Sequence, residues 1–195
     1  IKETIDSGLL GKIFYIYSNR LNFGQVRTNE DVLWSLGPHD ISILDYFTNS
    51  IPSQIKVDSS SFLQKNISDS VIACIKYENG ISAHIYESWL HPFKEHRIVV
   101  VGSKGMLSFE DSSNEKSIIL YKKSFDIVNK VPVKNDANAK IIDYKPKQPL
   151  TEELKYFAEN MNTDLVLKSN GDHAIKVMKV LYEATAVIKR NINEK

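Results

Sequence analysis

Six short segments rich in β-branched and aromatic residues follow one another down the middle of the chain, with no helical period between them. They are Gln54–Leu63, Ser70–Tyr77, Ile81–Trp89, Arg97–Val101, Met106–Phe109 and Ile118–Lys122. Asn79-Gly80 supplies the positive φ angles of a hairpin turn, and Ser103-Lys104-Gly105 is a second turn. Strands joined this closely pair antiparallel, because a parallel pair needs a long crossover. A further strand, Lys12–Asn22, is patterned with period two and carries Arg20 and Asn22 outward at its end.

Helical patterns lie on either side of this block. Residues 1–8 read as the end of a helix, with Ile1, Ile5 and Leu9 on one side and Gly8 or Gly11 as its stop. Residues 123–148 are weakly patterned and read as a long, partly extended excursion. Thr151 is expected to cap a helix with Leu154, Phe157, Ala158 and Met161 on its apolar side. A last helix spans about Asp172–Arg190 and buries Ile175, Met178, Leu181, Thr185 and Ile188. Strands grouped between helices, without βα alternation, predict one α+β domain over residues 1–195, a largely antiparallel open sheet with helices on one face.

Glu30 to Phe47 is where a titratable side chain, a proline and an amphipathic run coincide. In a helix, Leu33, Leu36, Gly37, Asp40, Leu44 and Phe47 share one stripe, while Ser35 and His39 lie together on another face. Pro38 fits only a first helical turn, so either the helix begins there or a turn from about Asp31 is kinked. Both alternatives put His39 near a helical amino terminus, which disfavours imidazolium and leaves a ring able to accept a proton. A lone histidine here is more simply a helix-end residue bonded to nearby backbone.

With 42% hydrophobic and 25% charged residues and a net charge of +1, the chain has the composition of a folded soluble protein and no massed basic patch for nucleic acid or an anionic membrane. Cys74, the one cysteine, sits in an apolar run and reads as a buried, inert thiol. His84, His91 and His96 lack a zinc-site spacing, so no metal is expected. Lys94 and Arg97 have two readings, a phosphate clamp or a solvated loop. Trp34 either walls a ligand site or packs in the structure. With no membrane-length apolar run and no leader-like segment, a cytoplasmic setting is expected. The chain begins at Ile1 within helical sequence, as a piece of a longer protein would.

The string Asp31-Val32-Leu33-Trp34-Ser35-Leu36-Gly37-Pro38-His39-Asp40-Ile41-Ser42 resembles the substrate-site helix of the glucose-fructose oxidoreductase / inositol dehydrogenase (Gfo/Idh/MocA) family. Gly8–Ile13, Ser88–Arg97 with Val101–Met106, and Asp172-His173-Ala174 are similar to other parts of that family's carboxyl-terminal domain, in the family's order, and closest to members acting on sugar nucleotides. The resemblance implies that His39 is the catalytic acid/base. It implies a substrate site drawing on Arg20, Asn22, Arg27, Trp34, Ser35, Lys94 and Arg97. It further implies an NAD or NADP cofactor bound mainly by a nucleotide-binding half preceding this chain, a sugar or sugar-nucleotide substrate, and homo-oligomerisation through the sheet face. Ser35 departs from the family, which commonly has an aspartate there; a serine cannot act as a carboxylate base. That departure supports the alternative, a non-catalytic binding or assembly module.

Overall fold

The computed structural model describes residues 1–163 and 169–193, with side chains through residue 191. An eight-stranded sheet is its frame. In chain order, α1 (Lys2–Asp6) leads into β1 (Ile13–Phe23), α2 (Val32–Thr48), β2 (Pro52–Ser60), β3 (Ser70–Tyr77), β4 (Ser82–Ser88), β5 (Leu90–Gly102), β6 (Met106–Glu110) and β7 (Ile118–Tyr121). A separate hairpin, β8 (Ser124–Val128) with β9 (Val131–Asn135), precedes β10 (Ala139–Ile142), α3 (Pro149–Asn160) and α4 (Gly171–Asn193). The large sheet runs β10-β7-β6-β5-β1-β4-β3-β2. Its pairs are antiparallel except β1 with β4, which is parallel and inserts the first strand into the middle of the sheet. This is the expected α+β class.

Alternation divides the sheet into two faces. Ile16, Val71, Ala73, Ile75, Ala83, Ile85, Val100 and Leu107 point to a buried side that α2 and α4 cover. Ile72, Cys74, His84 and Tyr15 lie exposed on the other. Cys74 is therefore not the buried thiol expected: its strand is apolar on both faces, and Cys74 falls on the open one, with its sulfur 3.7 Å from His84 Nδ1.

Helix α4 buries Val177, Val180, Leu181, Ala184 and Ile188. The expected stripe is half right: Leu181 and Ile188 are inside and Thr185 is half-buried, whereas Ile175 and Met178 are exposed. The apolar stripe is wide, and the sheet selects the edge one residue away. α3 starts at Pro149 after Gln148, two residues before the expected cap Thr151, since proline suits the first helical position. None of its residues is buried, and Leu154, Phe157 and Met161 face solvent. The weakly patterned 123–148 region contains three short strands, one of which, β10, extends the large sheet beyond β7. No described helix is long and apolar enough to cross a membrane.

Candidate active site

The Asp31 carboxylate starts α2 by accepting a hydrogen bond from the Trp34 N–H at 3.0 Å, and Val32 N–H donates to the Ser68 carbonyl. The helix ends at Asn49, whose N–H still donates to the Asp45 carbonyl and whose own left-handed backbone turns the chain out of the helix. Pro38 stands inside this 17-residue helix rather than at its start. The helix therefore forfeits the bond that the Trp34 carbonyl would accept from an N–H at position 38, and tertiary packing makes up the difference. His39 lies beyond the first turn of α2, not near its amino terminus as expected from sequence.

What lies under the helix explains that packing. Asp40 is 1% exposed and its carboxylate accepts from Ser18 Oγ at 2.7 Å and from Arg20 Nε at 2.7 Å and Nη2 at 3.1 Å. Arg20 thus points inward to the helix, contrary to the outward placement expected at the end of β1. Ile16 and Ser18 share its parity and are buried, so the strand's covered face continues to Arg20. A bidentate guanidinium–carboxylate pair out of water is strongly directional, and it pins the helix turn carrying His39 to the middle of the sheet.

Cross-strand register extends this contact into a row. Arg20 stands opposite Glu87 on β4 and His96 on β5, and Asp111 N–H donates to the His96 carbonyl at 2.8 Å. Glu87 is 0% exposed and receives no donor from the described residues, and its carboxyl faces the Asp40 carboxylate, to which a protonated oxygen can donate. It lies against the helix backbone at Gly37, where an added Cβ would come within 3.3 Å of Glu87 Oε1. Burial first, and the charge of Asp40 second, push the Glu87 carboxyl well above the usual range despite the opposing charge of Arg20. The site therefore favours the neutral, protonated form of Glu87. His96 is pulled the other way: burial, then Arg20 and Lys94, lower its affinity for a proton, and the ring is neutral near pH 7.

The proton on Glu87 has a consequence for stability. A folded-state carboxyl that titrates above its unfolded value makes the native state bind more protons, so stability is complete below the usual glutamate value of 4.5 and declines as pH rises from there toward the raised value. The slope from this one group reaches about 1.4 kcal/mol per pH unit. Glu87→Gln removes the titration. The difference in urea-unfolding free energy between variant and wild type is expected to move in the variant's favour from pH 5 to pH 8; a difference independent of pH over that range would contradict a buried, protonated Glu87.

The remaining sequence-derived site residues distribute as follows. His39 is exposed, with Ser35 half-buried four positions before it. Trp34 turns to α4, where its Nε1–H donates to Thr185 Oγ1 at 2.9 Å and its ring meets Tyr182 edge-on, so it packs helices together rather than walling a pocket. Asn22 is half-buried, and its Oδ1 has no hydrogen-bond partner among the described residues. Arg27 is exposed beside Glu30, 3.7 Å away, outside the row beneath α2. Lys94 and Arg97 do not form one clamp. Lys94 has the parity of His96, whereas Arg97 lies on the opposite face, bound to Glu110 at 2.8 Å. The histidines at 84, 91 and 96 also separate, His91 Nδ1 lying 2.9 Å from the Phe93 carbonyl.

Asp40, Glu87 and His96 were not singled out from sequence as site residues. Alternation alone puts Glu87 in line with buried Ala83 and Ile85, which was a usable signal. A second constellation is purely tertiary: His173 Nε2 lies 2.9 Å from Ser42 Oγ, and its Nδ1 lies 3.3 Å from Asp45. It clasps the first turn of α4 to α2, on the side of the helix away from Ile43. A hollow of about 310 Å3 is on that side too, among Asp45, Tyr77 and Lys176, and takes in neither His39 nor Arg20.

A nicotinamide dinucleotide needs a strand, a glycine turn and a helix amino terminus for its pyrophosphate. Gly102-Ser103-Lys104-Gly105 instead joins β5 to β6, strand to strand. The described residues do not fit that cofactor on their own.

The described residues thus form a largely antiparallel open sheet covered on one face by α2 and α4. The GFO/IDH/MocA C-terminal domain profile matches residues 1–108, more than half of the chain, and the chain belongs to that family. No curated protein sequence matches it. Among solved structures it is similar to UDP-N-acetylglucosamine 3-dehydrogenase from Acidithiobacillus ferrooxidans, with TM-score 0.79 and 15% identity over 96% of this chain and 58% of that one. An aldose-aldose oxidoreductase from Caulobacter crescentus superimposes with TM-score 0.77 and 14% identity, over 97% and 57% of the two chains. An NAD-binding protein from Listeria innocua gives 0.76 and 16%, over 97% and 61%. At these identities the likeness is one of fold. The chain spans less than two thirds of the length of these structures.

Proposed function

We propose that this chain is the substrate-binding domain of an NAD(P)-dependent oxidoreductase that moves hydride to or from a hydroxyl-bearing carbon of a sugar or sugar nucleotide, with the nicotinamide held by a nucleotide-binding half outside these residues. The observation that carries the proposal is His39, exposed on a helix whose next residue is locked to the sheet by Arg20. The family match and the sugar-acting neighbours support it. The cofactor supplies the redox chemistry; this chain orients the sugar and handles the hydroxyl proton. His39 takes or returns that proton, and Ser35 contributes a hydrogen bond but no titrating group.

The test is reduction of NAD+ or NADP+ by the enzyme comprising both halves, over a panel of sugars and UDP-sugars. Turnover with at least one sugar is expected. Sugar binding with no turnover of any member would favour the alternative, a binding module that keeps the fold without the chemistry, for which Ser35 is the specific argument.

We also propose that two copies associate through the open sheet face, where Tyr15, Ile72 and Cys74 are exposed and Tyr86 is half-buried in one apolar band. Ile72→Asp is expected to shift the sedimentation-velocity mass toward monomer. A wild-type protein that remains strictly monomeric at high concentration would count against this interface.

A further inference from the structure

Where Glu87 meets α2, the helix lacks one of its own bonds. Pro38 has no N–H to give the Trp34 carbonyl, so the turn from Trp34 to Asp40 depends on what lies beneath it. Gly37 rests on Glu87 so closely that a Cβ there would stand 3.3 and 3.4 Å from the two carboxyl oxygens. Asp40, buried, is held by Ser18 and by the Arg20 fork. His39 stands between these two contacts, on the exposed side of the same turn.

The two contacts meet, because the Glu87 carboxyl faces the Asp40 carboxylate. A carboxylate has about four lone-pair sites. On Asp40, Ser18 Oγ, Arg20 Nε and Arg20 Nη2 occupy all but one of them. The site left over is open to a donor, and Glu87, which receives none itself, becomes a donor when protonated. Two buried carboxyl groups brought together hold one proton between them, since adjacent anions repel. The other groups around Glu87 do not remove that need. Arg20 on β1 is engaged by Asp40, Asp31 at the start of α2 adds negative charge, and the residue opposite on β3 is the uncharged Val71.

We propose that Glu87 is a positioning residue for His39: its carboxyl proton, donated to Asp40, seats the Gly37–Asp40 turn on the sheet, and loss of that proton unseats the turn and stops turnover. The inference rests on the oxidoreductase reading above and goes beyond it by assigning the alkaline limit of turnover to a buried group that never touches the substrate. Once Glu87 ionises, the carboxylates of Asp31, Asp40 and Glu87 stand against the single guanidinium of Arg20. The part of that cluster with the least internal support is the turn missing its own bond, so the turn moves. Turnover is full while Glu87 keeps its proton and falls as pH rises through the value at which the proton is lost.

The test measures kcat and KM from pH 6 to pH 10 for the enzyme comprising both halves, as wild type, Glu87→Gln and Glu87→Leu, on a sugar that the wild type turns over. The glutamine amide offers Asp40 a donor at every pH, so Glu87→Gln is expected to keep the wild-type kcat at pH 6 and to lack the alkaline fall of wild type. Glu87→Leu keeps the bulk without the donor, and is expected to lose about 10- to 100-fold in kcat at pH 6 with little change in KM. A readout independent of activity is the His39 ring in protein with 15N-labelled histidine. In wild type its resonances should show an alkaline step at the midpoint of the kcat fall, and in Glu87→Gln that step should be missing. That spectrum decides the matter if Glu87→Leu fails to fold. Superimposable kcat profiles for wild type and Glu87→Gln, or His39 resonances without the alkaline step in wild type, would overturn the positioning role while leaving the oxidoreductase reading intact. An alkaline His39 step that Glu87→Gln removes, in a protein that turns over no sugar, would overturn that reading and leave the seating of the turn by Glu87 in place.

Discussion

Replacing His39 with asparagine in the enzyme comprising both halves is expected to lower kcat by about 10²–10⁴-fold, with a much smaller change in substrate affinity. Asparagine keeps a polar side chain of similar reach and its hydrogen bonds, but it cannot exchange a proton near neutral pH. The exposed position of His39 makes a folding explanation for such a loss weak, because its side chain is outside the buried stripe of α2. Ser35→Ala should cost much less, since a hydroxyl orients but does not titrate here. Steady-state kinetics of both variants checks this. An unchanged kcat for His39→Asn, or a larger loss for Ser35→Ala, would return His39 to the role of a helix residue that only shapes the pocket.

The second large effect falls on stability. Arg20→Met is expected to cost about 3–5 kcal/mol, because it strands the carboxylate of Asp40 in a site where that residue is 1% exposed. The Arg20 side chain is 17% exposed, so solvent screens the pair little from that side. The double variant Arg20→Met/Asp40→Asn should regain much of the loss, since no buried charge then lacks its partner. Urea unfolding of the three variants closes the cycle. A single-variant loss below about 1 kcal/mol would place the pair among ordinary surface ion pairs and remove the brace beneath His39.

Local pattern carried the elements of this fold far better than the site. Ser70–Tyr77 and the start of β6 at Met106 coincide with the strands observed, because alternation and the Asn79-Gly80 turn are written in adjacent residues. The stripe through Gly37, Asp40 and Leu44 was equally readable. Arg20 was placed on the wrong face. The period of β1 is visible in sequence, but which face is covered depends on α2 crossing it. Propensity left two places for Pro38, a helix start or a kink in a helix from about Asp31, and the packing under Gly37 and Asp40 selects the second, with the proline inside the helix. The row Glu87–Arg20–His96–Asp111 is the least legible feature. It exists only in the register of β4, β1 and β5, one pair of which is parallel and joins strands far apart in the chain. Nothing local distinguishes such a glutamate from one at the surface, except its place in an alternating apolar strand.

The division of labour between this chain and a nucleotide-binding half is tested most directly by calorimetric titration of residues 1–195 with NADH and NADPH, beside the same titration of the enzyme comprising both halves. The isolated chain is expected to fold and to give no saturable heat with either dinucleotide, while the longer enzyme binds at least one of them. Saturable, tight binding of NADH or NADPH to the isolated chain would contradict the account, because the described residues would then hold a dinucleotide site that their strand-to-strand glycine turn does not provide.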